Sequence, residues 1–197
     1  MLKRGFDIVA SFAGLVLLLP VFVCVAIWIK LDSKGPVFFR QVRVGRYGAP
    51  FRIHKFRTMA VNTESAGRLT VGTDSRITRS GSLLRKTKLD ELPQLVDVFL
   101  GRMSLVGPRP EVPEFMSLYP SSEREKILSV RPGITDRASI EMVDENEILA
   151  KYDDARQAYI DVIMPIKSKF YCDYVDNKSF MGDIKIIFLT IYRIVSR

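Results

Sequence analysis

Histidine and tryptophan occur once each in this chain and cysteine only twice. Cys24 and Cys172 stand far apart, which offers neither a disulfide framework nor zinc spacing, and both are expected as buried thiols. His54 alone cannot assemble a metal cluster and is expected to be structural. Internal repeats and low-complexity tracts are missing, so no solenoid is indicated. No glycine-lysine-serine/threonine element follows a strand, which excludes a phosphate loop. Acids are scarce at the N-terminus, where residues 1–60 hold ten Lys/Arg against two Asp/Glu, whereas residues 61–197 hold twenty of each. Charge disappears altogether from residues 8–29, "IVASFAGLVLLLPVFVCVAIWI".

That uncharged run is long enough for a bilayer, since roughly 20 apolar residues span a hydrocarbon core. It lacks the small-residue cleavage site of a secretory signal and is expected to stay on the protein. Pro20 divides it into arms of residues 8–19 and 21–29, reaching roughly 18 and 14 Å at 1.5 Å per residue, so neither crosses alone. Lys3 and Arg4 precede the run, and Lys30, Lys34, Arg40 and Arg43 follow it. Cations on both flanks favour a hairpin dipping into one leaflet, although a kinked spanning helix fits the composition as well.

The chain has 197 residues and a net charge of +8, the size of one domain. Its pattern is α+β, mainly helical with a small β-hairpin over about residues 37–44 and 51–57. Eight Lys/Arg fall between positions 30 and 57, beside the apolar run. They suit an anionic membrane surface, and Lys55 and Arg57 suit a phosphorylated substrate. Nucleic acid is disfavoured because the basic excess abuts the membrane segment. Residues 61–80 are polar and read as a mobile loop. Residues 144–175 read as helix, a break or bend at Pro165, then helix, with solvated acids. The C-terminal stretch "FMGDIKIIFLTIYRIVSR" reads as an amphipathic helix whose polar arc holds Asp183, Lys185, Thr190, Arg193, Ser196 and Arg197.

The stretch "TKLDELPQLV" (87–96) sets Asp90 and Glu91 side by side. With Asp90 as N-cap, Glu91, Leu92 and Pro93 fill the first turn of a helix that Gly101 ends. Such a helix start favours anions, phosphate as readily as carboxylate, and Arg85, Lys86 and Lys88 crowd it from upstream. A carboxylate so placed can act as nucleophile or metal ligand, and equally can simply cap the helix. "SLVGPRPEVPE" and "VRPGITD" hold Arg109 and Arg131 in stiff turns, and arginine forks recognise phosphate oxygens.

Taken in order, the Pro-interrupted apolar run, "GPVFFRQVRVGR", "FRIHKFRTM", "LRKTKLDELPQL", "MSLVGPRPE" and "RPGIT" resemble the small monotopic phosphoglycosyl transferases, a bacterial sugar transferase family, over nearly the whole chain. The resemblance implies transfer of a sugar 1-phosphate from a UDP-sugar to polyprenyl (undecaprenyl) phosphate, with release of UMP, opening the synthesis of a bacterial glycan. It implies Asp90 as nucleophile, forming a covalent phosphosugar-aspartate, and Glu91 as partner acid associated with Mg2+. Arg85, Arg109 and Arg131, with Lys55 and Arg57, become candidate phosphate contacts, and Pro20 the membrane-helix break. It further implies a membrane-associated segment at 1–33 and a cytoplasmic catalytic domain at 34–197, folded as one unit at the inner membrane. Membrane lipid is an expected partner, nucleic acid is not, and oligomeric assembly is left open. Two positions depart from the family pattern: Leu19 stands where serine often precedes the membrane proline, and "RPGITDRASI" replaces a glycine-containing continuation. Two rival readings are a non-enzymatic basic membrane module and a phosphohydrolase that passes phosphate from Asp90 to water.

Overall fold

Residues 1–61, 74–142 and 145–196 are described by a computed structural model. Helices α1 (Leu2–Leu17) and α2 (Leu19–Asp32) precede strands β1 (Phe38–Phe39), β2 (Val42–Val44), β3 (Pro50–Arg52) and β4 (Lys55–Phe56). Helix α3 (Arg79–Lys86), a 3-10 turn (Leu89–Glu91), α4 (Gln94–Phe99) and β5 (Ser104–Val106) follow. Then come α5 (Pro113–Met116), α6 (Ser121–Leu128), β6 (Gly133–Thr135), α7 (Arg137–Glu141) and α8 (Glu145–Leu149). The chain closes with α9 (Ala155–Ala158), a π-turn (Tyr159–Ile163), α10 (Met164–Asn177) and α11 (Phe180–Val195). The class is α+β, as the sequence pattern indicates.

The α1–α2 pair is bent by 59°. Pro20 has no N–H for the Val16 carbonyl and crowds the preceding turn, so the helix breaks just before it, at Leu18 (φ −89°, ψ 0°). No single helix among the described residues is long and apolar enough to cross a membrane, whereas the bent pair together has the length and composition. Both ends of the pair are fastened to the same body. Near its start, Asp7 is buried and accepts from Ser104 Oγ (2.8 Å) and Leu105 N (3.1 Å), and Arg4 donates to the Val98 and Phe99 carbonyls. At its end, Asp32 accepts from Ser80 N (2.9 Å) and Oγ (2.8 Å). The pair therefore leaves the folded body and returns to it.

The hairpin forms in two steps: β1 pairs β4 (Phe38 with Phe56) and β2 pairs β3 (Arg43 with Phe51), both antiparallel. Phe56 carries this hairpin onto α2 and α3 by packing with Val25, Ile29 and Leu84. The two proline-arginine motifs turn out to be one unit, because β5 and β6 pair in parallel. A Cβ on Gly133 would lie 2.1 Å from the Gly107 nitrogen, so only glycine allows the two backbones to meet. The largest core cluster joins Val112, Phe115 and Met116 to Tyr159, Ile163 and Tyr171 of the π-turn and α10.

Several expectations need correction. Asp90 is not an N-cap: it lies inside the 3-10 turn, and α4 begins only at Gln94, six residues long, so no extended helix dipole faces the acid pair. The expected mobile loop falls for residues 62–73 outside the described residues. Beyond it, Ile77 bridges Met59 and Thr78 caps α3 by accepting from Gly81 N (3.0 Å). Pro165 does not interrupt the chain's helical course, because the π-turn absorbs its missing hydrogen bond and α10 carries it in its first turn. Cys24 is exposed and Cys172 half-buried, since α2 turns Cys24 outward. In α11 the polar arc partly faces inward: Asp183 is buried against Lys3 and Tyr174, and Thr190 bonds Thr135. Met181, Phe188, Leu189, Ile191, Tyr192 and Val195 are exposed instead.

Candidate active site

Three segments converge on the acid pair. Helix α3 ends at Lys86 with Thr87 as its C-cap, and Lys88 then adopts the left-handed conformation (φ 58°) usually given to glycine after a helix. A non-glycine residue held there stores backbone strain of the kind found at functional sites. The reversal starts the 3-10 turn that buries both Asp90 and Glu91. Strand β4 supplies Lys55, whose Nζ lies 2.8 Å from Glu91 Oε1 and 3.5 Å from Asp90 Oδ2. The loop between β5 and α5 supplies Arg109, which forks onto both oxygens of Glu91, with Nη1 donating to Oε2 at 3.0 Å and Nη2 to Oε1.

Each donor is itself held. Asp97, wholly buried on α4, accepts from the His54 backbone N (2.8 Å) and pairs with its Nδ1 (2.9 Å), which fixes β4 one residue before Lys55. Arg43 donates to the Pro110 carbonyl (2.9 Å), and Val44 N to the Glu111 carbonyl (2.9 Å), so β2 braces the Arg109 loop. Gly133 N donates to the Pro108 carbonyl (2.9 Å) from the other side. Tyr159 Oη donates to the buried Glu111 Oε1 (2.7 Å), tying the same loop to the π-turn.

The charges shape one another's ionisation. Burial pushes the Glu91 carboxyl upward, but Arg109, Lys55 and Lys88 outweigh it and hold the group well below the usual carboxylate range. Glu91 in turn raises Arg109 well above its ordinary value. Desolvation lowers Lys88, with Glu91 opposing it. Desolvation also lowers Arg85, opposed first by Asp90, and Arg85 Nε donates to Thr58 Oγ1 (2.9 Å) beside the turn.

Asp90 Oδ1 is different. It is buried and has no hydrogen-bond partner among the described residues. Leaving such an acceptor unsatisfied costs about 1–3 kcal/mol, so its retention points to a ligand or to chemistry. Among the described residues no three acidic, histidine or cysteine side chains gather as a metal cluster. The donor set still suits a hard cation that takes one or two carboxylates and completes its shell with substrate oxygens. A carboxylate has about four lone-pair positions, and three N–H groups meet Glu91, so about one position remains beside the orphaned Asp90 oxygen.

Of the residues singled out in the sequence, the structure brings Asp90, Glu91, Lys55, Arg109 and Arg85 together. Arg57 and Arg131 are engaged elsewhere. Arg57 is buried and donates to the Ser33 (2.8 Å) and Lys34 (2.6 Å) carbonyls at the end of α2, and Arg131 Nε donates to the Gly101 carbonyl (2.8 Å). Their local structure is that of ties between elements. Asp97 and the left-handed Lys88 went unassigned in the sequence. Asp97 looks like any acid on a helix, and nothing in "RKTKLD" marks a lysine for a glycine-like backbone.

The family model described as bacterial sugar transferase matches residues 1–197. The UDP-glucose:undecaprenyl-phosphate glucose-1-phosphate transferase of Escherichia coli (strain K12) is 39% identical over 198 residues, covering 98% of this chain and 40% of that protein. The UDP-N-acetylgalactosamine-undecaprenyl-phosphate N-acetylgalactosaminephosphotransferase of Aeromonas hydrophila is 39% identical, covering 99% of this chain and 44% of that protein. This chain thus spans less than half the length of these two relatives. The exopolysaccharide production protein PSS of Rhizobium leguminosarum bv. phaseoli is 38% identical and is matched over 96% of its own length. With the whole sequence inside the family model and relatives of this similarity, the chain belongs to the bacterial sugar transferase family.

Proposed function

We propose that this protein transfers a sugar 1-phosphate from a UDP-sugar to a polyprenyl phosphate, as the first membrane step of a bacterial glycan. The observation that carries the reading is the buried acid pair with one unpartnered oxygen on Asp90, ringed by Lys55, Arg109, Lys88 and Arg85. The names of the relatives, which act on UDP-sugars and undecaprenyl phosphate, support the substrate class.

In this reading an Asp90 carboxylate oxygen attacks the sugar-bearing phosphorus of the donor. A P–O bond to Asp90 forms as the bridging P–O bond breaks, and UMP leaves with the electron pair. An oxygen of the acceptor phosphate monoester then attacks the same phosphorus. The bond to Asp90 breaks, the carboxylate is restored, and polyprenyl diphosphate-sugar departs. Lys55 sits between the two acids and holds them together despite their like charge. Arg109 fixes Glu91 through two bonds, so Glu91 keeps its direction while charge moves through the site. Glu91, with the free Asp90 oxygen, would hold Mg2+, which would supply charge neutralisation when bound. The bent α1–α2 pair and the apolar outer face of α11 support a site at a membrane surface, which this reading takes as the cytoplasmic one, where a soluble donor meets a lipid acceptor.

The test is UMP release from a panel of UDP-sugars by purified protein with polyprenyl phosphate and Mg2+, for wild type and Asp90→Asn. Release by the wild type alone, abolished by chelator, is expected. No release from any donor, equal release by the variant, or transfer to water instead of lipid would sink the proposal.

A further inference from the structure

The cleft that contains Glu91 and Arg109 is a cavity of about 440 Å³ that runs from Leu92 and Leu95, at the start of α4, past β6 and α7 to α11. Its cationic lining includes Lys88 and Arg109. Apolar lining comes from Leu92 and Leu95 and from Ile191 and Ile194 of α11, with Lys86 and Arg193 beside them. The hydroxyl of Thr190, which would wet the α11 side, is engaged by Thr135 Oγ1 (2.6 Å) and the Ile186 carbonyl (2.8 Å).

At Leu95 the cavity's apolar lining adjoins the bent helix pair. Leu95 Cδ1 lies 3.1 Å from where a Cβ on Gly14 of α1 would stand, so this wall rests on the apolar run itself. Tyr192 continues the exposed apolar surface of α11. Ile191 remains 53% exposed, so its side chain is open to a ligand in this cleft. One occupant matches both kinds of lining: an amphiphile with a phosphate head and a hydrocarbon tail arriving from the side of the bent helix pair.

We propose that the α4–α11 groove binds the isoprenoid chain of the acceptor next to its phosphate, with the phosphate at Lys88 and Arg109. The inference rests on the transferase reading above and adds the tail-binding wall, Leu92, Leu95, Ile191 and Ile194. It makes chain recognition a property of the folded protein as well as of the bilayer.

The test compares farnesyl phosphate with dimethylallyl phosphate, as competitors of a long-chain acceptor and as ligands in equilibrium dialysis. Wild type, Ile191→Ser, Ile194→Ser and Phe188→Ser are used, the last an exposed position on the same helix outside the groove. In the wild type farnesyl phosphate should bind at least about tenfold tighter than dimethylallyl phosphate. Each isoleucine variant should weaken farnesyl phosphate about tenfold and dimethylallyl phosphate far less, while Phe188→Ser changes neither. Equal weakening of both ligands, no weakening, or a matching effect of Phe188→Ser would overturn the groove. Chain-length selectivity without UMP release from any donor would instead overturn the transferase and leave the groove standing. Circular dichroism confirms that each serine variant is folded, and the two isoleucine positions are independent checks.

Discussion

Replacing Lys55 by methionine removes an ammonium that pairs with both acids while keeping an unbranched apolar stem of similar length. Its Nζ lies 2.8 Å from Glu91 and 3.5 Å from Asp90. At an effective dielectric constant of about 20, Coulomb's law gives roughly 6 and 5 kcal/mol for these separations before desolvation is counted. Breaking a largely buried pair costs about 3–5 kcal/mol. Arg109 still faces Glu91 in the variant, which places the loss near the lower end, about 3 kcal/mol. If that loss falls on the reacting state, kcat/KM for the donor drops about 100-fold. UMP release at saturating lipid acceptor measures it, with Lys55→Arg expected to recover part of the rate because the charge remains. A folded Lys55→Met protein within about threefold of wild type would refute the claim that Lys55 organises the acid pair.

Gly133→Ala should destabilise the protein by about 3 kcal/mol, because its Cβ would overlap the Gly107 backbone. That corresponds to a Tm roughly 6–12 °C lower by circular dichroism in detergent, and an unchanged Tm would contradict the close β5–β6 approach. Glu91 has a folded pKa depressed well below its ordinary 4.5, so its ionic stabilisation is fully present above about pH 4.5 and is lost as pH falls through the folded value. The stability gap between wild type and Glu91→Gln in urea should therefore be constant from pH 7 to about pH 5 and shrink below; a gap that widens on acidification would reverse the assigned sign. Cysteines placed at Leu2 and Lys34, with Cys24 and Cys172 changed to serine, should label from the same side of the membrane. Opposite accessibility would contradict a helix pair that leaves and returns.

Much of this was legible in the sequence because it rests on local rules. Pro20 inside an uncharged run forces a bend wherever it lies, and the alternation around a Gly-containing turn gives the two-step hairpin. The acid pair and Arg109 stood out by chemistry and motif, and the structure brings them together. What depended on long-range geometry was hidden. Lys55 and Arg57 both stood out in the basic stretch beside the apolar run as cations suited to a phosphorylated substrate. Strand β4 is only Lys55–Phe56, however, and the chain turns so that Arg57 meets the end of α2. Asp90 looked like a cap because proline follows three residues later, yet the left-handed Lys88 ends the preceding helix and begins a 3-10 turn instead. Asp183 reads as polar surface on a helical wheel, and only the position of Lys3 and Tyr174 explains its burial.

The central claim is that Asp90 carries the sugar phosphate. Intact-protein mass spectrometry after mixing with the accepted UDP-sugar, without lipid acceptor, reads this directly. The account predicts a mass increase of one sugar phosphate on the wild type, absent from Asp90→Asn and removed on adding polyprenyl phosphate. A wild-type protein that makes lipid-linked product yet never gains that mass, or an Asp90→Asn protein that does, would contradict it.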